Sequence, residues 1–121
     1  MADRLTKITT KGGDGGKTSL GDGARVEKSD PRVSLMGDVD ELNSWIGVAL
    51  SAEPGETVRE TLVGVQHDLF DLGGALCFPG APILSEAHVA RLDAAGEALN
   101  ADLAPLKEFV LPGGAPLIAW L

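Results

Sequence analysis

Residues 10–20, Thr-Lys-Gly-Gly-Asp-Gly-Gly-Lys-Thr-Ser-Leu, combine four glycines and two lysines with hydroxyl side chains in eleven positions. Glycine has no Cβ, so such a stretch can turn several backbone N–H groups toward one point. Lysine adds mobile positive charge, and the hydroxyls of Thr18 and Ser19 suit a phosphate oxygen or a metal ion. Together these are the parts of a polyphosphate cradle. The same composition also suits a plain surface loop, and the loop alone does not choose.

A Walker-type P-loop fits poorly. That motif needs a glycine five residues before Gly-Lys-Thr, after a buried strand and opening a helix. Counting back from Gly16-Lys17-Thr18, the position falls on Lys11, with the nearest glycine at Gly12. Gly21 and Gly23 follow too closely for a helix to start at Thr18, and Leu5 to Thr10 is too polar for a central parallel strand.

Charge distribution supports an anion site at this end. Residues 1–34 carry seven Lys and Arg against five Asp and Glu, whereas residues 35–121 carry three against thirteen. The cations gather around the glycine loop, as a compact polyanion such as a nucleotide requires. Nucleic acid needs a broad basic face, which an acidic body would repel, so no nucleic-acid partner is expected. No apolar run reaches a membrane span, and the Met-Ala-Asp-Arg start is not a signal peptide. The single cysteine, Cys77, excludes an intrachain disulfide and fits a reducing, cytoplasmic setting. It lies in an apolar stretch, where a buried inert thiol is expected.

The elements that must hold the loop read as helices. With 121 residues, 44% of them apolar, the chain suits one domain, 1–121, with a loop region at 1–34 and helices over 35–121. Asp38 is the expected N-cap of a first helix, with Glu41 completing a capping box and Val39, Leu42, Ile46, Ala49 and Leu50 as the apolar stripe. Pro54-Gly55 stops it near Ala52. A second helix spans about Thr57–Leu76, with Val58, Leu62, Val65, Leu69, Leu72 and Leu76 at bundle spacing. Within it, Gly73-Gly74 is expected to mark close packing, a ligand or a fraying end, and packing is the first choice. Ser85 caps a third helix with the stripe Val89, Leu92, Gly96, Leu99 and Leu103, and Ala115 to Leu121 begins a fourth. That last run is short and uncapped, so a truncated chain is expected. The fold class is all-α: an up-and-down helical bundle with the glycine loop across one end.

Five blocks then carry a resemblance: KITTKGGDGGKTSL (7–20), RVEKSDPRV (25–33), GDVDELNSWIG (37–47), QHDLFDLGGAL (66–76) and FVLPGG (109–114). In this order and spacing, over almost the whole chain, the sequence resembles the PduO-type ATP:corrinoid adenosyltransferases. The resemblance implies a five-helix bundle assembled as a homotrimer with sites between subunits. It also implies transfer of the 5′-deoxyadenosyl group of ATP to the cobalt of a Co(I) corrinoid, with release of triphosphate. Cobalt is then the nucleophile, which agrees with the lack of any Ser-His-Asp or Cys-His arrangement and of any metal-spaced His/Cys cluster.

By the same resemblance, Thr10, Lys11, Gly12 and Gly13 hold the nucleotide, Thr18 and Ser19 lie near the phosphates or Mg²⁺, and Lys28 reaches the phosphates as a point charge. Asp40 falls in the block that pairs with a neighbouring subunit's arginine, though it also suits the helix dipole. Phe109 matches the phenylalanine beside the corrin ring, which keeps the lower axial base off cobalt and so eases reduction to Co(I). A corrinoid reductase is a further possible partner. Asp14 reads first as a turn former and Glu41 as a capping residue, while Asn43 suits either a ligand or the backbone. His67 and His88 have no partner at ligand spacing and read as exposed or structurally bonded. The family continues past PGG with a His-x-x-Arg stretch and an Arg-Arg-x-Glu-Arg helix. This sequence stops before them, which leaves a non-catalytic ATP-binding module or a helical interaction domain as alternatives.

Overall fold

The computed structural model describes residues 6–120. The start of the polar run at Leu5 and the end of the apolar run at Leu121 lie outside the described residues. The element order is β1 (Lys17–Ser19), β2 (Arg25–Glu27), α1 (Pro31–Ser51), α2 (Glu56–Cys77), α3 (Glu86–Asn100) and α4 (Pro116–Trp120).

The helical reading holds, with corrections at its start. α1 begins seven residues before the expected N-cap at Asp38, because Asp30-Pro31 supplies a stronger start. The Asp30 carboxylate accepts from the Arg32 amide at 2.8 Å, and Pro31 opens the helix with φ already fixed. Asp38 and Glu41 therefore sit inside α1 and form no capping box. Of the predicted stripe, Ile46, Ala49 and Leu50 are buried and Val39 is half-buried, but Leu42 is 52% exposed. α2 matches its expected span; Leu76 is buried and the other five stripe residues are half-buried.

α1 and α2 form an antiparallel pair, pinned at both the middle and one end. In the middle, Asn43 Nδ2 donates to the Gln66 carbonyl and Gln66 Nε2 donates to the Asn43 carbonyl, both at 3.2 Å. At the end, Arg32 Nη1 donates to the Leu76 carbonyl at 2.9 Å. Side-chain amides bonded to backbone carbonyls fix the register of two helices, where apolar packing alone tolerates sliding.

α3 starts at Ser85 as expected. The Ser85 amide donates to His88 Nδ1 at 3.0 Å, so His88 takes the N3 role in a capping box. A buried carboxylate on α2, Asp68, bonds Arg91 of α3 and lies 3.9 Å from His88 Nε2. The predicted α3 stripe, by contrast, is exposed at Val89, Leu92, Leu99 and the following Leu103. α4 borders a small cleft with Trp45, Val48 and Ala49 of α1.

The glycine region holds what an all-helical reading misses, an antiparallel hairpin of β1 and β2 with Lys17 opposite Glu27, Thr18 opposite Val26 and Ser19 opposite Arg25. The Gly21 amide donates to the Cys77 carbonyl at 2.8 Å, docking the hairpin on the last turn of α2. Cys77 itself is half-buried, less enclosed than its apolar context suggests.

Candidate functional site

Two tight turns shape residues 11–17. The Asp14 amide donates to the Lys11 carbonyl at 3.2 Å, and the Gly16 amide donates to the Gly13 carbonyl at 3.1 Å. Asp14 thus sits in a turn, as its residue type suggested. Lys11 adopts φ 62°, a left-handed conformation that costs a non-glycine residue about 1 kcal/mol or more. The amides of Gly12, Gly13 and Gly15 donate to no protein acceptor among the described residues. The Lys28 amide closes the far side on the Gly16 carbonyl at 2.8 Å.

The cations here divide into two kinds. Lys17 is spent on Glu27, its cross-strand partner, at 3.2 Å. Lys11, Arg25 and Lys28 form no ion pair with a carboxylate among the described residues. Lys28 bends back over the turn, so that a Cβ on Gly13 would lie 2.8 Å from its ammonium. Thr10 covers the neighbouring residue, with its hydroxyl 3.6 Å from the Cβ position of Gly12. The structure therefore gathers Thr10, Gly12, Gly13 and Lys28 around one turn that Lys11 opens.

Thr18 and Ser19 are not gathered alike. Alternation along β1 places them on opposite faces. Ser19 Oγ accepts from Arg25 Nη1 at 3.1 Å, whereas Thr18 is half-buried opposite Val26. Arg25 and Gln66 were not anticipated. Arg25 opens the RVEKSDPRV block but has no role legible there, because its part rests on bonds to Gly12, Lys17 and Ser19 that the block does not contain.

Asp40 is exposed and borders two clefts between α1 and α2. One is shared with Asn43, Gln66, His67 and Phe70; the other, of about 490 Å³, reaches Gly73, Gly74 and Phe78. Asn43 Oδ1 is a buried acceptor with no hydrogen-bond partner among the described residues. A Cβ on Gly73 or Gly74 would meet nothing within 4 Å, so the packing expected at this pair is absent and the helix runs on past it to Cys77. Phe109 is fully exposed in an irregular segment and lines neither cleft. Among the described residues, no three His, Cys, Asp or Glu side chains are grouped to hold a metal ion, and no helix is long and apolar enough to cross a membrane.

The profile of the family described as Cobalamin adenosyltransferase matches residues 8–121, nearly the whole chain. The chain belongs to the cobalamin adenosyltransferase family. Similarity to individual members agrees. A Cobalamin adenosyltransferase of Cupriavidus metallidurans is 53% identical over 95% of this chain and 63% of its own length. A Corrinoid adenosyltransferase of Mycobacterium tuberculosis is 42% identical over 100% of this chain and 67% of its own length. The chain thus spans about two thirds of the length of these relatives. Among solved structures, a variant PduO-type ATP:corrinoid adenosyltransferase from Lactobacillus reuteri, complexed with cobalamin and ATP, superposes with a TM-score of 0.85. It shares 32% identity, covering 94% of this chain and 67% of that one. The helical architecture of this family member is thus that of the PduO-type enzymes.

Proposed function

We propose that this protein transfers the 5′-deoxyadenosyl group of ATP to the cobalt of a Co(I) corrinoid. The observation that carries the reading is the glycine turn with Lys11 and Lys28 unneutralised and the Gly12, Gly13 and Gly15 amides unclaimed. In the reaction, cobalt attacks C5′, the Co–C bond forms, and the C5′–O bond breaks with its electron pair leaving on triphosphate. Fixed amides and ammonium groups at the triphosphate would stabilise the charge that collects there, without reorganising during the step.

In this reading Thr10, Lys11, Gly12, Gly13 and Lys28 hold the nucleotide. Thr18 and Ser19 flank it from the two faces of β1, with Ser19 positioned through Arg25. Mg²⁺ fits as a companion of the triphosphate, since magnesium keeps several waters and binds through phosphate oxygens more than through dedicated protein cages. The Thr18 hydroxyl is the group proposed to face it, and the ion would neutralise charge on the leaving group. Asp40, exposed at the rim of both clefts, suits a pairing with an arginine of a second subunit, as a homotrimer with shared sites requires. Phe109, exposed on its irregular segment, would lie beside the corrin ring. A reductase supplying Co(I) and a cytoplasmic setting complete the proposal.

Incubation with MgATP and a chemically reduced corrinoid, followed by absorbance, tests the reading. A light-sensitive Co–C product supports it. ATP affinity that stays the same in both Lys11→Ala and Lys28→Ala overturns the assignment of the nucleotide to this turn. The separation of Phe109 from both clefts favours a second reading, an ATP-binding module without transfer, in which the lysine variants lose affinity but no Co–C product forms.

A further inference from the structure

We propose that Arg25 is a positioning residue that sets the shape of the glycine turn from behind, without touching the bound phosphates. The inference rests on the reading of that turn as the triphosphate seat.

From β2, the Arg25 guanidinium reaches three acceptors, two on β1 and one in the glycine turn. Nη1 donates to Ser19 Oγ at 3.1 Å, and Nη2 donates to the Gly12 carbonyl at 3.1 Å and more weakly to the Lys17 carbonyl at 3.4 Å. Gly12 lies at the entry of the turn and Lys17 at its exit, so one planar group ties both ends to β2. A rigid fork of donors can do this; a lysine ammonium on a flexible stem is a point charge and cannot fix three acceptors in one plane. All three acceptors are neutral, and among the described residues no carboxylate pairs with Arg25.

The consequence follows from peptide geometry. In a planar trans peptide the carbonyl oxygen and the N–H of the next residue point in opposite directions. Holding the Gly12 oxygen toward Arg25 therefore turns the Gly13 N–H away from it. That amide has no protein acceptor among the described residues, and the Lys28 ammonium lies over the same residue. Arg25 thus aims a donor and leaves the anion to the turn and to Lys28.

The test compares Arg25→Ala and Arg25→Lys with the parent chain. Hydrogen exchange of the Gly13 and Gly16 amides is followed by NMR without nucleotide, and affinity for inorganic tripolyphosphate and MgATP is measured by calorimetry. In Arg25→Ala, Gly16 exchange should quicken about tenfold as its turn bond loosens, and tripolyphosphate affinity should fall about tenfold through lost preorganisation. Arg25→Lys should recover little of either, and the melting temperature should stay at the parent value because the side chain is exposed. Parent-like exchange in Arg25→Ala overturns the proposal. So does full recovery by lysine, which would make Arg25 a simple source of charge. If the parent binds neither polyphosphate, the triphosphate reading of the turn fails, and the exchange result alone decides the role of Arg25.

Discussion

Lys28 rests its ammonium where Gly13 has no side chain: a Cβ built there would stand 2.8 Å from Nζ and 2.9 Å from Cε. The glycine is needed here for close approach. It brings a cation from the end of the hairpin across to a turn fifteen positions earlier, and makes the two residues one functional unit.

Gly13→Ala should therefore act as a mutation of Lys28. The lysine tip is flexible and yields to the methyl group, so stability should not change. ATP affinity should fall by about three- to tenfold, as in Lys28→Ala, at the scale of one charge-assisted contact. The double variant should be no weaker than Lys28→Ala alone, since both remove the same interaction. Calorimetry on the three variants checks this.

Gly73→Ala and Gly74→Ala should each stabilise the chain by about 1 kcal/mol in urea unfolding. Both lie in α2 with open space where the methyl would go, so helix propensity acts without a steric penalty. A loss of stability would show that something occupies the groove in solution.

Arg91→Ala should destabilise by about 1–3 kcal/mol, because it leaves the Asp68 carboxylate buried with only His88 Nε2, 3.9 Å away, in place of its guanidinium partner. Hydrogen exchange should localise the loss to α3. Asp68→Leu combined with Arg91→Ala should recover part of it, which distinguishes an orphaned charge from lost packing.

Asn43→Ala should cost about 1–2 kcal/mol, and adding Gln66→Ala should cost less than the sum of the two. The reciprocal 3.2 Å bonds predict this coupling, which a double-mutant cycle in urea measures directly.

Much of this was legible in the residues, for physical reasons that differ by element. α2 and the start of α3 followed from periodicity and from Ser85, both local signals. The turn at 11–17 followed from glycine and lysine content. The N-cap of α1 was misplaced by eight residues, at Asp38 in place of Asp30. The apolar stripe was read only from Val39 onward, yet Asp30-Pro31 caps and initiates the helix two turns earlier, where Val33 and Met36 are half-buried. The hairpin was invisible because three-residue strands without apolar alternation are held by a short backbone ladder and not by a buried face. Periodicity also overreached on α3, where it marks an apolar stripe but says nothing of what lies against it. For Asn43, the backbone bond of Nδ2 depends on Gln66, a partner 23 residues away that composition does not reveal.

The ring of Phe78 occupies the space a side chain on Gly21 would need, 2.5 Å from the Cβ position, while the Gly21 amide hangs from Cys77. The arm that carries the turn is thus hooked to the tip of the same rod that walls the glycine-lined groove. The glycine arm therefore takes its position from the last turn of α2 and would follow any tilt of it.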